Sequence, residues 1–134
     1  MRSRDAIVNS EPSFVDGVAT ITVTELERAL EFYTGVLGLR LRDRQGDEWA
    51  VVELGALRLG LYSGVRAPAH SHSNGVSICF YVAGNLEEAI DQLQLRGVHF
   101  EEVEPDHGVS MIRRAWFADP DGNRLFAAER HEAW

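Results

Sequence analysis

The side chains able to do chemistry are few, and most stand where another role explains them. His70-Ser71-His72 is a His-x-His pair. On a strand that spacing sets two imidazoles on one face, ready for a metal. Here it lies among Ser, Pro and Gly with no third ligand near in sequence, and reads as two solvated loop histidines. Glu101, Glu102, Glu104, Asp106 and His107 crowd one charged stretch, which reads as a solvated hairpin tip. Cys79 stands alone in an apolar run; without a base beside it, it is a small hydrophobe rather than a nucleophile. Glu53 is the more interesting carboxylate, set in the apolar run WAVVELG. Facing an interior cleft, its pKa would rise by desolvation and make it a base or a cation partner; facing outward, it is merely solvated. Tyr62, Tyr81 and His99 complete the short set of acid–base candidates. Asp119-Pro120-Asp121-Gly122 looks like a carboxylate pair, but its turn chemistry accounts for it. Neither GxGxxG nor GKS/T occurs, so no phosphate loop is present.

The elements that must position these groups repeat. Val18 to Val23 alternates and is β-branched, as in a strand. Thr24-Glu25-Leu26-Glu27 has the form of a capping box. Leu26, Ala29, Leu30, Tyr33 and Leu37 then make a helical stripe, predicting a helix near 25 to 37 that Gly35 and Gly38 end. Strands follow at Leu39 to Arg42, Trp49 to Leu54 and Leu57 to Tyr62. After the polar stretch SGVRAPAHSHSNG the pattern restarts. Val76 to Val82 reads as a strand, Asn85 to Glu88 as a helix start, and Leu86, Ala89, Ile90 and Leu93 as a stripe ending at Arg96-Gly97. Strands are predicted at Val98 to Val103, Met111 to Ala118 and Arg124 to Glu129, the last two joined by Asp119-Pro120-Asp121-Gly122-Asn123.

The expected organisation is an α+β chain of two βαβββ modules in tandem. A tail covers 1–13, the first module 14–64, a linker 65–74, the second module 75–130 and a second tail 131–134. The halves align directly: Leu26-Glu27-Arg28-Ala29-Leu30 matches Leu86-Glu87-Glu88-Ala89-Ile90 at an offset of 60, and the strands before them at 59. Two curved four-stranded sheets would then enclose a cleft.

Composition narrows the function. The chain has 134 residues, enough for one domain that buries roughly two-thirds of its unfolded surface. A single cysteine excludes an internal disulfide framework and a Cys-rich zinc site. The longest apolar run, Ile78 to Ala83, falls far short of the ~20 residues of a membrane helix, and the N-terminal stretch lacks the apolar core of a signal peptide. A cytoplasmic protein is expected. With 13 basic against 21 acidic residues, a net charge of -8 and no lysine, nucleic acid and anionic membranes are improbable partners. An acidic surface would instead tolerate or attract a cationic small molecule.

The segments VATITVTELERALEFYTGVLGLRL and FADPDGNRLFAAE, within a duplicated βαβββ order over about residues 14 to 130, resemble the vicinal oxygen chelate superfamily. That superfamily includes glyoxalase I, extradiol dioxygenases, fosfomycin-resistance enzymes and bleomycin-resistance proteins. In its metal-dependent members the ligands come from fixed strand positions. By the resemblance these fall here on Val18, Gly60, Ser77 and Phe126. Three of the four have no ligating side chain, and a lone hydroxyl is a poor ligand for a transition metal. No metal and no cofactor is expected.

What remains is a cleft with aromatic walls and a few hydroxyls, suited to a planar or amphipathic ligand. Val18, Thr20, Ser77, Cys79, Tyr81, Tyr62 and Phe126 are expected to face it. Strand parity leaves open whether Trp49 or Ala50, and Trp116 or Phe117, join them. The leading expectation is a metal-free binding protein of the bleomycin-resistance type. The alternative is a lyase, isomerase or dioxygenase using a relocated metal or a metal-free acid–base pair drawn from Glu53, Tyr62, Tyr81 and His99. The resemblance also implies a homodimer, and the strand Val18 to Val23, without lysine or proline, offers an unprotected edge.

Overall fold

The computed structural model describes residues 13, 16–64, 76–105 and 113–130. The first module runs β1 (Ala19–Thr22), α1 (Leu26–Leu30), a π-helical continuation (Glu31–Val36), β2 (Arg40–Gln45), β3 (Trp49–Leu54) and β4 (Leu57–Tyr62). The second runs β5 (Ile78–Val82), α2 (Leu86–Leu95), β6 (Glu102–Val103), β7 (Arg114–Ala118) and β8 (Arg124–Glu129). Each forms a four-stranded sheet, in the orders β1-β4-β3-β2 and β5-β8-β7-β6. The first and last strands of a module pair in parallel (Thr20 opposite Gly60, Cys79 opposite Phe126), and the other pairs are antiparallel. The duplicated α+β fold read from the repeat is therefore the fold observed.

Strand alternation separates two faces. One face of each sheet packs under its helix: Ala50, Val52, Leu59 and Leu61 in the first, Ala115, Phe117, Leu125 and Ala127 in the second, none above 1% exposed. These join Leu26, Ala29, Leu30, Tyr33 and Leu86 in one continuous core. Burial of this apolar surface, at about 25 cal/mol per Å², is the main force holding the chain folded.

Three local expectations are corrected. The capping box does not form: the helix cap is Glu25 and makes no side-chain bond. The Thr24 hydroxyl instead donates 2.6 Å to Asp121 of the other module. A partner 97 residues away thus outcompetes the local bond. The first helix is not α-helical throughout. From Glu31 it widens, with Leu37 N donating to Phe32 O at 2.9 Å, and it places Tyr33 fully in the core. The strand expected from Val98 to Val103 shrinks to Glu102–Val103, because Val98 N bonds Leu93 O to close α2 and Phe100 packs against the core. At α2 the reading is right: Asn85 Oδ1 accepts from Glu88 N at 2.8 Å.

The Asp119–Asn123 turn does more than reverse the chain. Asp119 Oδ1 accepts from Asp121 N and Asn123 N, which is turn chemistry, but its Oδ2 accepts from Tyr33 Oη at 2.8 Å. Asn123 Nδ2 donates to Thr22 O, and Asp121 Oδ1 accepts from Thr24 N, Thr24 Oγ1 and Arg28. Turn chemistry alone therefore does not account for this aspartate pair, which pins the second module to the first.

Candidate functional site

The face of each sheet turned away from its helix is the candidate site. In the first sheet it carries Thr20, Gly60 and Val51 across one row, and Thr22, Tyr62 and Trp49 across the next. In the second it carries Cys79, Phe126 and Trp116 across one row, and Tyr81, Ala128 and Arg114 across the next. Parity resolves in favour of both tryptophans. Ala50 and Phe117 lie under the helices, so Trp49 and Trp116 fall on the open faces, each half-buried. Val18 and Ser77 lie just before β1 and β5 and are exposed. His99 is also exposed, on a non-strand segment between two residues that pack inward, apart from this constellation. His70, His72, Asp106 and His107 lie outside the described residues.

Aromatic rings organise both faces. Trp116 and Phe126 stack at 4.7 Å between centroids with their planes tilted by 46°. The Arg124 guanidinium lies over Trp116 at 4.4 Å. Arg114 stands 5.6 Å from the Trp116 ring and 5.9 Å from the Phe126 ring, held by Glu104 at 2.9 Å. In the first module the Trp49 indole lies directly on Gly60: a Cβ at that glycine would fall inside the ring's van der Waals surface. The Tyr62 ring folds over Gly64 in the same way. Sequence reasoning raised the two tryptophans but gave no sign that one of them would occupy the space above Gly60. Alternation from Phe126 already placed Arg124 on the same face, whereas Arg114, opposite Ala128 in register, was missed.

The residues at the superfamily's metal-ligand positions do not fit a metal. Val18 and Phe126 are hydrocarbon, Gly60 is roofed by an indole, and Ser77 offers one hydroxyl. Among the described residues no three His, Cys, Asp or Glu side chains cluster as a cation site would require.

Glu53 does lie on the open face, opposite Arg58 and Arg40 in register. Its pKa does not rise, however. Hydrogen bonds from Arg42 and Arg40, at 3.0 and 3.2 Å, hold the carboxylate below the usual glutamate range. The sequence showed an apolar strand around it but not the two guanidinium groups that β2 lays beside it. Cys79 behaves as expected of a thiol without a base, its pKa raised by burial.

Two curved sheets, each with one helix-covered and one open face, define a tandem βαβββ protein of the glyoxalase type. The sequence profile of the Glyoxalase/Bleomycin resistance protein/Dioxygenase superfamily matches residues 16–125, and the chain belongs to that superfamily. Among solved structures it is similar to a lactoylglutathione lyase from Agrobacterium tumefaciens, with TM-score 0.67 and 19% identity over 89% of this chain and 95% of that one. A glyoxalase family protein from Enterococcus faecalis gives TM-score 0.67 and 22% identity over 84% and 94%. An integron cassette protein from the mobile metagenome of V. cholerae gives 0.63 and 20% over 89% and 98%. At these identities the likeness is one of fold. No curated protein matches the sequence.

Proposed function

We propose that this protein is a metal-free small-molecule-binding member of the superfamily, holding an aromatic or amphipathic ligand against its open sheet faces. The observation that carries this reading is the replacement of ligating groups by rings. Trp49 covers Gly60, and Phe126 stacks on Trp116 where the family's terminal carboxylate would stand. Half-buried aromatic surface of this kind binds planar molecules by burial and stacking, with Thr20, Ser77 and Tyr81 supplying polar contacts at its margin. Val18, Tyr62 and Cys79 complete the proposed lining. The ion-paired Glu53 counts against a metal-free acid–base enzyme, since a carboxylate held charged by two arginines is a weak base.

Calorimetric titration against a panel of aromatic antibiotics and planar metabolites tests the proposal. Saturable binding that weakens in Phe126→Ala supports it, and no binding across the panel overturns it. Metal analysis of protein purified without an affinity tag separates it from the enzyme alternative: a stoichiometric transition metal would favour a lyase, isomerase or dioxygenase. The proposal includes a homodimer, supported by the edge position of β1 in the sheet order of the described residues, and a cytoplasmic setting, supported by the lone free thiol. No helix among the described residues is long and apolar enough to cross a membrane.

A further inference from the structure

The two modules present the same backbone with different charges, and among the described residues an arginine of the second module makes no ion pair. In the first module Arg58 stands opposite Glu53 across β3–β4 and pairs with Asp16 at 2.8 Å. In the second module the corresponding strand pair sets Arg124 opposite Ala118. The facing carboxylate has gone and the arginine has stayed, although the ion pair of Arg58 itself is with Asp16, and Glu53 pairs with Arg40 and Arg42. Among the described residues Arg124 makes no ion pair; its guanidinium lies over the Trp116 ring at 4.4 Å. Its neighbour Arg114 is different, being neutralised by Glu104 through Nε and a terminal nitrogen.

A guanidinium lying over an aromatic face keeps its N–H edge free, and that edge matches a carboxylate in a two-point fork. Stacking also limits the side-chain freedom that an exposed arginine would otherwise lose on binding. The next residue on the same face of β8 is Phe126, itself against Trp116, so an apolar body attached to that carboxylate would meet rings. The chain as a whole carries -8, which keeps anions away from most of its surface. An arginine with no ion pair among the described residues, set beside aromatic rings, runs against that field locally.

We propose that Arg124 selects the ligand by its charge: the open face of the second sheet takes a planar aromatic carboxylate, with the anionic group on Arg124 and the ring system against Trp116 and Phe126. The proposal rests on the binding reading above and narrows it to one class. It also replaces the expectation, drawn from net charge, of a cationic ligand.

The test uses three matched probes on the full chain: 2-naphthoate, 2-naphthamide and 2-naphthylmethylammonium, titrated by calorimetry. Naphthoate should bind roughly five- to tenfold more tightly than naphthamide, as expected of a partly exposed two-point ion pair, and the ammonium probe most weakly. In Arg124→Gln the naphthoate-to-naphthamide ratio should fall to about one, while Arg124→Lys keeps part of it, having charge without the fork. Should Arg124→Gln fail to fold, the wild-type protein still decides: rising salt should weaken naphthoate and spare naphthamide. Equal affinity for naphthoate and naphthamide, an unchanged ratio in a folded Arg124→Gln, or preference for the ammonium probe each overturns the charge selection while leaving aromatic binding intact. Binding of none of the three overturns both.

Discussion

Tyr33 and Asp119 meet across the two modules: the phenol donates 2.8 Å to Oδ2 of a carboxylate that is only 5% exposed. The same carboxylate accepts from two backbone N–H groups of its own turn and from Asn123 Nδ2. One side chain thus shapes the last turn of the second module and fastens it to the helix of the first.

Tyr33→Phe should therefore cost about 1–3 kcal/mol, because it leaves buried Asp119 short of a donor while changing little in volume. The midpoint of urea unfolding measures the loss. Asp119→Ala should cost more, since the turn loses its acceptor as well. A variant as stable as wild type would show that water replaces the phenol without penalty.

The same contact predicts an alkaline signature. Burial, and then the Asp119 charge, push the Tyr33 phenol far above the ordinary tyrosine value of 10.0. A group whose folded pKa is raised contributes stability in full below its unfolded pKa and loses it as pH rises beyond that value. Stability attributable to Tyr33 should thus fall above about pH 10, where the unfolded chain ionises and the folded one does not. Tyr33→Phe should flatten that limb relative to wild type, read as unfolding midpoints between neutral and strongly alkaline pH.

Glu53 gives the opposite sign. Its folded pKa lies below the ordinary 4.5, through hydrogen bonds from Arg42 and then Arg40. The stability it contributes is present above its unfolded pKa and is lost as pH falls through its folded value. Glu53→Gln should make stability less steep in acid, and should leave ligand binding at neutral pH without a lost proton acceptor. A raised kinetic pKa that disappears in Glu53→Gln would instead restore it as a catalytic base.

Gly60→Ala should destabilise the first module by about 1–3 kcal/mol, because the new methyl has to displace the Trp49 indole. Trp49→Ala should relieve part of that cost, so the double variant should be less impaired than the two losses summed, by urea unfolding. Phe126→Glu alone should not create tight zinc or nickel binding, which needs at least three ligands. Uptake by that single variant would reveal other ligands around the site.

Much of this was readable from residue types. Periodicity and the offset of 60 give both modules, and alternation puts Cys79, Tyr81 and Phe126 on one face of the second sheet. Three of the failures share a physical cause: they turn on partners in other strands or in the other module. Thr24 looks like a cap until Asp121 arrives from 97 residues away. Glu53 looks like a desolvated acid until β2, with its register shift between Leu41 and Asp43, brings Arg40 and Arg42 beside it. Trp49 looks like a wall residue until the missing side chain at Gly60 lets it lie flat. Local pattern decides which face a side chain takes, while what it meets there is set by tertiary pairing.

The duplicated backbone would, if its side chains were duplicated too, offer a ligand two equivalent poses related by a half-turn. This chain breaks that equivalence at matching positions. Where Gly60 borrows the indole of Trp49, Phe126 supplies a ring of its own, and where Arg58 faces a carboxylate, Arg124 faces a methyl group. A molecule reaching across both faces therefore has a head and a tail as far as the protein is concerned. A bound aromatic should show one orientation rather than an average of two, even when the ligand itself is nearly symmetric.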